Sequence, residues 1–204
     1  MAEQVLSPAT ARARKGLVSE QILRAARVAL AERGLAVRVE DVADAAGVSR
    51  RTVFRHFATR EELLAAALRD SMRSYGDHLP RYEPGRPLAE WLDEAFVVAH
   101  EMNARHGRVY FELALATELE GPVAEVAELR RSARAELVRR FSNAAWSASG
   151  AGGRPPVWLV DTVAILLSAF ATEALVGDFG RTPAQAGHVA ARALEHAIAA
   201  ATIR

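Results

Sequence analysis

Arg50, Arg51, Thr52, Arg55 and His56 fall within one short stretch, with Val53 and Phe57 four residues apart among them. A guanidinium presents a planar fork of donors that pairs with phosphate oxygens, or bidentately with the edge of guanine. Threonine reaches a phosphate or a thymine methyl, and His56 is placed to touch a nucleic-acid backbone. No catalytic constellation competes with this set. No glutamate is followed three residues later by histidine, so the paired motifs of a helical di-iron centre are missing. His100-Glu101 has no second histidine at the spacing a zinc helix needs. There is no Gly-x-Ser-x-Gly elbow and no glycine loop to cradle a phosphate. With no cysteine, disulfides and thiolate metal sites drop out. No catalytic residue, metal or cofactor is expected.

The elements that hold these side chains are legible around them. Val42, Ala43 and Ala46 share one face at helical spacing. Gly47 stands where a helix ends in a left-handed cap, and Ser49 is a good N-cap for a second helix from Arg50. Val53 and Phe57 face inward from that helix, which leaves the cationic residues outside. This is a helix-turn-helix. A helical hairpin with an incidental basic face is the plain alternative.

The run from Ile22 to Leu64 resembles the N-terminal domain of the tetracycline-repressor (TetR) family of bacterial transcription regulators. The matching residues are Ala25-Ala26, Gly34, Val42-Ala43, Ala46-Gly47-Val48-Ser49, Thr52-Val53-Phe54, His56-Phe57 and Glu61-Glu62-Leu63-Leu64. The resemblance covers roughly the first third of the chain. It implies DNA contacts from Arg38, Ser49, Arg50, Arg51, Thr52, Phe54, Arg55, His56 and Arg60. Four of these depart from the family pattern. Arg38 stands near a usual capping threonine, Arg51 replaces a common glycine, Phe54 replaces a tyrosine and loses its hydroxyl, and Arg60 replaces a lysine.

Composition agrees with an all-α chain of about nine helices. Of 204 residues, half are hydrophobic but only 6% aromatic, with alanine and leucine carrying most of the share. The net charge of +1 is unevenly spread, from +4 over residues 1–75 to −3 over the remainder. That suits a basic DNA-binding head on a different body. The N-terminus lacks the charged start and apolar run of a signal peptide, and the apolar run 157–176 is interrupted by Asp161 and Glu173. The expectation is a cytoplasmic protein with no membrane partner.

Three segments follow: a flexible basic arm over 1–17 carrying Arg12, Arg14 and Lys15, a head over 18–77, and a helical ligand-binding and dimerisation domain over 78–204. Ser19 is expected to cap the first helix and Gly34 to end it. Thr59 with Glu62, and Thr182 with Gln185, read as capping boxes. Leu64, Leu68, Met72 and Tyr75 form the stripe of the fourth helix. In the body, one helix is expected to close at His106-Gly107, followed by a short one over 108–118. A long amphipathic helix starts at Pro122, with Val126, Leu129, Ala133, Leu137, Phe141 and Ala145 inward. Its Arg130, Arg131, Arg134, Arg139 and Arg140 are assigned to the wet face. Residues 157–176 read as one buried helix capped by Gly177.

The resemblance also implies a small-molecule pocket among the central helices and a dimer formed by the last two. Met102, His106, Tyr110, Phe111, Trp146, Phe170 and Glu173 are the pocket candidates, each also readable as ordinary core or rim. Glu173 is expected to orient an apolar or aromatic ligand carrying a donor or a positive charge, unless it pairs with an arginine. Val160, Val163, Ala164, Leu167, Ala190, Ala193, Leu194 and Ala197 are the dimer-interface candidates, with an ordinary core as the alternative. The whole reads as a ligand-responsive repressor that binds palindromic double-stranded operator DNA as a homodimer. The other reading is a helical ligand-binding or scaffold protein whose head has lost operator binding.

Overall fold

The computed structural model describes residues 8–116 and 118–202, without the side chains of 8–12, 14 and 73–77. Within them the chain forms nine α-helices and no strand. Helix α1 (Pro8–Arg33) begins well before Ser19, so residues 8–17 are helix where an arm was expected. Alanine, arginine and lysine favour the helix and Pro8 suits its first turn. Together they outweigh the roughly 1 kcal/mol that an interior glycine such as Gly16 costs. Residues 1–7 and the side chains of Arg12, Arg14 and Tyr75 lie outside the described residues.

Gly34 (φ +61°) turns the chain into a short 3-10 segment, Gly34–Ala36. Helices α2 (Val39–Ala45), α3 (Arg50–His56) and α4 (Arg60–His78) complete the head. At the start of α4, Thr59 Oγ1 accepts from Glu62 N at 3.0 Å, while the Glu62 carboxylate reaches back to Ala58 N. The Thr59 half of the anticipated capping box forms, while the return bond of Glu62 goes one residue further out, to Ala58 rather than to the N-cap backbone.

Helix α5 (Leu88–Leu115) runs straight through Gly107, correcting the expected break. Gly107 is a packing glycine: a Cβ there would stand 3.3 Å from that of Ala169. Helix α6 (Gly121–Ala148) follows. The apolar run beyond it is broken, not continuous. Helix α7 (Val157–Leu166) ends at Leu167, and Ser168 starts α8 (Ala169–Glu173) by accepting from Ala171 N at 3.1 Å. The two arms are bent by 50°. A π-helical turn, Ala174–Asp178, extends α8, and the left-handed glycine that closes it is Gly180 (φ +61°), not Gly177. Helix α9 (Pro183–Thr202) opens on a complete capping box. Gln185 N donates to Thr182 Oγ1 at 3.1 Å and Thr182 N to Gln185 Oε1 at 2.9 Å. Among the described residues no single helix is long and apolar enough to cross a membrane.

The buried side chains divide into two cores. One joins Ile22, Leu30, Val53, Leu64 and Leu68 of the head to Val109 and Leu113 of α5 and Val126 of α6. The head is therefore seated on the body by shared apolar packing, each large side chain contributing about 1.5–3 kcal/mol. The other core holds Trp91, Phe96, Phe141, Leu159 and Leu194. Trp91 stacks on Phe141 at 4.7 Å between centroids, and Phe96 meets the same ring edge-on at 5.5 Å. Helix α5 is the spine, packed against α1, α6, α8 and α9. At its crossing with α9 a Cβ on Gly187 would lie 2.5 Å from Val97 Cα, so the two backbones touch only because Gly187 lacks one.

Candidate nucleic-acid interface and interior cavity

The turn between α2 and α3 follows from local chemistry. Gly47 adopts φ +61°, Val48 N donates to Ala43 O at 3.0 Å and Gly47 N to Asp44 O at 3.1 Å. This is the Schellman arrangement, which satisfies the last carbonyls of α2. Gln21 of α1 adds a bond from Nε2 to Ala46 O at 2.7 Å. Ser49 Oγ then accepts from Thr52 N at 3.1 Å and lies 2.9 Å from Thr52 Oγ1. Ser49 is thus committed to holding α3, whose buried Val53 fixes its rotation.

The outer face of α3 is cationic. Arg51 and Arg55 are exposed and make no ion pair among the described residues. Arg50 is also exposed but reaches Glu40 of α2 at 3.0 Å and lies over the ring of Phe54 at 5.4 Å. Thr52 and His56 are half-buried at the edges of the face. Burial lowers the His56 pKa, and the cations of Arg55 and Lys15 lower it further. Lys15 therefore lies beside the end of α3, carried there by the early start of α1.

Arg38 and Arg60 have roles inside the head. Arg38 N donates to Asp41 Oδ2 at 3.0 Å, so the N-terminus of α2 is held by the carboxylate half of a capping box. The pKa of Asp41 is lowered first by that bond; burial opposes it, and the Arg33 and Arg38 side chains lower it further. The Arg60 guanidinium donates from Nε to Val37 O at 2.7 Å and from Nη2 to Leu35 O. It thereby ties α4 to the carbonyls of Leu35, within the 3-10 turn, and of Val37, just after it. The same turn is gripped from the body: Leu35 N donates to Glu112 Oε2 at 2.5 Å, and Arg108 holds Glu112 Oε1 at 3.1 Å.

A cavity of about 260 Å³ lies beneath the middle of α6, between the two cores. Helix α6 contributes Arg130, Ala133, Arg134, Leu137, Val138 and Arg140. Asn103 and Tyr110 of α5, Met72 of α4, and Leu167 and Ala169 at the α7–α8 break complete the lining. Of the seven pocket candidates only Tyr110 is there. Met102 is half-buried elsewhere, and His106 is exposed. Phe111 packs on Phe170 at 4.7 Å, leaving Phe170 45% exposed. Trp146 closes the far end of the body and donates from Nε1 to Gly152 O at 3.1 Å. Glu173 is exposed, because the break at Leu167 and Ser168 rotates α8 away from the course of α7. The cavity also corrects the wet face assigned to α6. Leu129 is exposed, and Arg131, Arg139 and Arg140 are exposed as expected, whereas Arg130 and Arg134 are half-buried and turn inward. Their spacing of 130, 134 and 137 was the available signal, masked by the charge of its members.

Electrostatically the cavity is a cationic, partly buried site. Burial pushes the Tyr110 phenol up to about 12. The Arg130 pKa is lowered by burial first and by Arg134 next, with Tyr110 acting against them. Beside the cavity, His100 Nδ1 lies 2.9 Å from Thr172 Oγ1, and Asn103 Nδ2 donates to Thr172 Oγ1 at 3.1 Å. Burial takes the His100 pKa down to about 4, opposed by a bond to the backbone of Leu166.

The expected dimer face divides in two. Val163, Leu167, Ala190 and Leu194 are buried within this chain, in its own second core or at its cavity. Val160, Ala164 and Ala197 are half-buried and Ala193 is exposed. The apolar groups left outside are Val157, Trp158 and Ile165 on α7 and Val189 on α9, between 48% and 77% exposed. An apolar helix carries several candidate faces, and the position of α5 decided which turned inward.

Residues 22–67 match the bacterial regulatory proteins of the tetR family. The probable HTH-type transcriptional regulator ArpR of Pseudomonas putida is 29% identical over 164 residues, 77% of each chain. Among solved structures, a tetR-family transcriptional regulator from Streptomyces coelicolor superposes with a TM-score of 0.67 at 18% identity, over 91% of this chain and 83% of its own. The TetR-like transcriptional regulator LfrR from Mycobacterium smegmatis, in complex with proflavine, superposes with a TM-score of 0.59 at 24% identity, over 91% and 96%.

Proposed function

We propose that the chain, whose residues 22–67 match the tetR-family model and which is similar to a probable HTH-type regulator over 77% of its length, is a TetR-type DNA-binding transcription regulator, a ligand-responsive repressor that binds a palindromic operator as a homodimer. The observation that carries the reading is the pairing of two features in one chain. Helix α3 presents Arg51 and Arg55 without ion-pair partners among the described residues, and a partly open cavity lies between the core of the head and that of the body.

In this reading α3 enters the major groove, where Arg51 and Arg55 read base edges and Thr52, His56 and Lys15 meet the backbone. Two heads joined through the exposed apolar faces of α7 and α9 would address half-sites about 34–36 Å apart. The half-exposed Val160, Ala164 and Ala197 and the exposed Ala193 lie along the same faces. A ligand acts by preferring dimers whose heads are differently spaced. To move the population from 1:99 to 99:1 it must bind the favoured state about 10⁴-fold more tightly. The body is suited to this because Tyr110 belongs to the head's core and Val138 to the other, and both line the cavity. The work is done on DNA, without catalysis, in the cytoplasm.

The test is a band shift on the DNA flanking its own gene, with a large excess of nonspecific duplex. A complex that survives the excess, on a palindrome with the stoichiometry of a dimer, is the expected result. Equal affinity for flanking and random DNA would leave a helical ligand-binding or scaffold protein whose head no longer reads an operator.

A further inference from the structure

We infer that the cavity beneath α6 takes a small amphipathic organic carboxylate. Its head would lie on Arg130 and Arg134 and its apolar body against Leu137, Val138 and Leu167. The inference rests on the ligand-responsive reading above and names the chemistry of that ligand.

Four observations carry it. First, Arg130, Arg134 and Leu137 follow one another at spacings of four and three on one face of α6, and all three line the cavity. Helix geometry therefore presents two guanidiniums and an apolar continuation in one row. Second, Arg130 is half-buried and its Nε is shut off from solvent with no hydrogen-bond partner among the described residues. Burying such a donor on a charged group costs free energy unless an acceptor answers it. Third, among the described residues the charges acting on Arg130 are the like-signed Arg134 and Arg131, with the Tyr110 phenol beside it and no carboxylate. Arg134 reaches the Ala164 carbonyl across the α6–α7 gap, and Arg140 lies 3.6 Å from Glu136. Among the described residues, none that lines the cavity carries a negative charge.

The fourth observation is the remainder of the wall. Met72, Leu137, Val138, Leu167 and Ala169 are apolar, while Asn103 and Tyr110 add an amide and a phenol opposite the arginines. An anion would receive two parallel N–H bonds from a guanidinium fork at a partly buried position, where water screens them less than at the surface. A cation would meet two guanidiniums and no counter-charge. This replaces the expectation of a cationic ligand oriented by Glu173, whose carboxylate is exposed.

The experiment uses the full-length dimer and isosteric probes: octanoate and 4-phenylbutyrate, their alcohols, and their amines, titrated by calorimetry near neutral pH. The carboxylates should bind about tenfold or more tighter than the matched alcohols, with the amines weakest, since a hydrogen bond to a charged group is worth about ten- to a hundredfold. Arg130→Gln should abolish that preference and leave alcohol binding within about twofold. If Arg130→Gln does not fold, the ranking on the unmodified protein decides. Alcohols or amines binding as well as the carboxylates would overturn the assignment, as would no carboxylate binding at millimolar concentration. A band shift with the same probes separates this from the underlying reading. A carboxylate that binds but leaves the operator complex intact supports the site and overturns ligand response. Release by a neutral compound alone does the reverse.

Discussion

The carboxylate of Glu112 fills the space that a side chain on Gly34 would need, and it is there because its Oε2 accepts the N–H of Leu35 at 2.5 Å. One residue of the body thus grips the turn that ends the first helix of the head. Arg108 holds the other oxygen of Glu112 at 3.1 Å, and Arg60 holds the carbonyls of Leu35 and Val37 from the opposite side. The turn is a joint between the two parts of the molecule, and it can form only around a glycine at φ +61°.

Gly34→Ala should therefore be strongly destabilising. A side chain in the left-handed region costs about 1–3 kcal/mol, and the Cβ would also displace Glu112 from Leu35. Thermal unfolding should shift down by roughly 2–4 °C for each kcal/mol lost in a chain of this size. An unchanged midpoint would mean that Glu112 moves aside at no cost and that the joint is slack.

Arg51→Ala and Arg60→Ala should fail differently. Arg51 is exposed and unpaired among the described residues, so its loss should leave thermal stability alone. It should weaken operator binding by ~1–3 kcal/mol relative to random DNA. Arg60→Ala should lower the melting temperature, because two carbonyls of the joint lose their donor. Melting curves and salt-series titrations on both duplexes check the pair. A normal melting curve for Arg60→Ala, with equal losses on all DNA, would return Arg60 to the phosphate contacts.

For assembly, the exposed and buried apolar positions of α7 and α9 give opposite outcomes. Ile165→Glu and Val189→Glu change groups 66% and 48% exposed in the single chain. They should yield folded monomers, since a charge at a subunit contact goes unpaired. Leu167→Glu and Ala190→Glu place the charge inside the chain and should prevent folding. Sedimentation with circular dichroism distinguishes the cases. Folded dimers from both Ile165→Glu and Val189→Glu would put the interface on another surface.

Acid should destabilise the body through His100. Its folded-state pKa is about 4 against an ordinary value of 6.5, and burial is the main cause. The unfolded chain therefore takes up a proton that the folded chain refuses. The associated stability is fully present above pH 6.5 and is lost as pH falls toward 4. The loss amounts to at most about 3 kcal/mol. Denaturant titrations at several pH values should show this slope, and His100→Gln should flatten it while keeping a polar group near Thr172. A slope that survives in the variant would belong to other groups.

How much could be read in advance depended on the range of the forces involved. The turn at Gly47, the caps at Ser49 and Thr59 and the capping box at Thr182 were legible in the sequence. Each is set by residues no more than five apart, whose backbone and side-chain bonds need nothing from elsewhere. The inward turn of Val53 followed from the same short-range pattern. The joint at Gly34 was half legible: the glycine marked a helix end, but its partner Glu112 lies far along the chain.

What α6 and α7 do was decided only by tertiary structure. A helix that carries both arginines and leucines gives no local sign of which row meets water, and Arg130 and Arg134 turned inward because α4, α5 and α8 leave a gap beneath them. The run 157–176 looked continuous because every residue in it tolerates a helix. Ser168 broke it because its hydroxyl could cap a new helix while Thr172 found Asn103 and His100 across the chain. Leu167 and Ala190 were indistinguishable in type from the residues left exposed. The close approach of α5 and α9 at Gly187 determined which apolar face this chain would bury for itself, and which it would leave exposed.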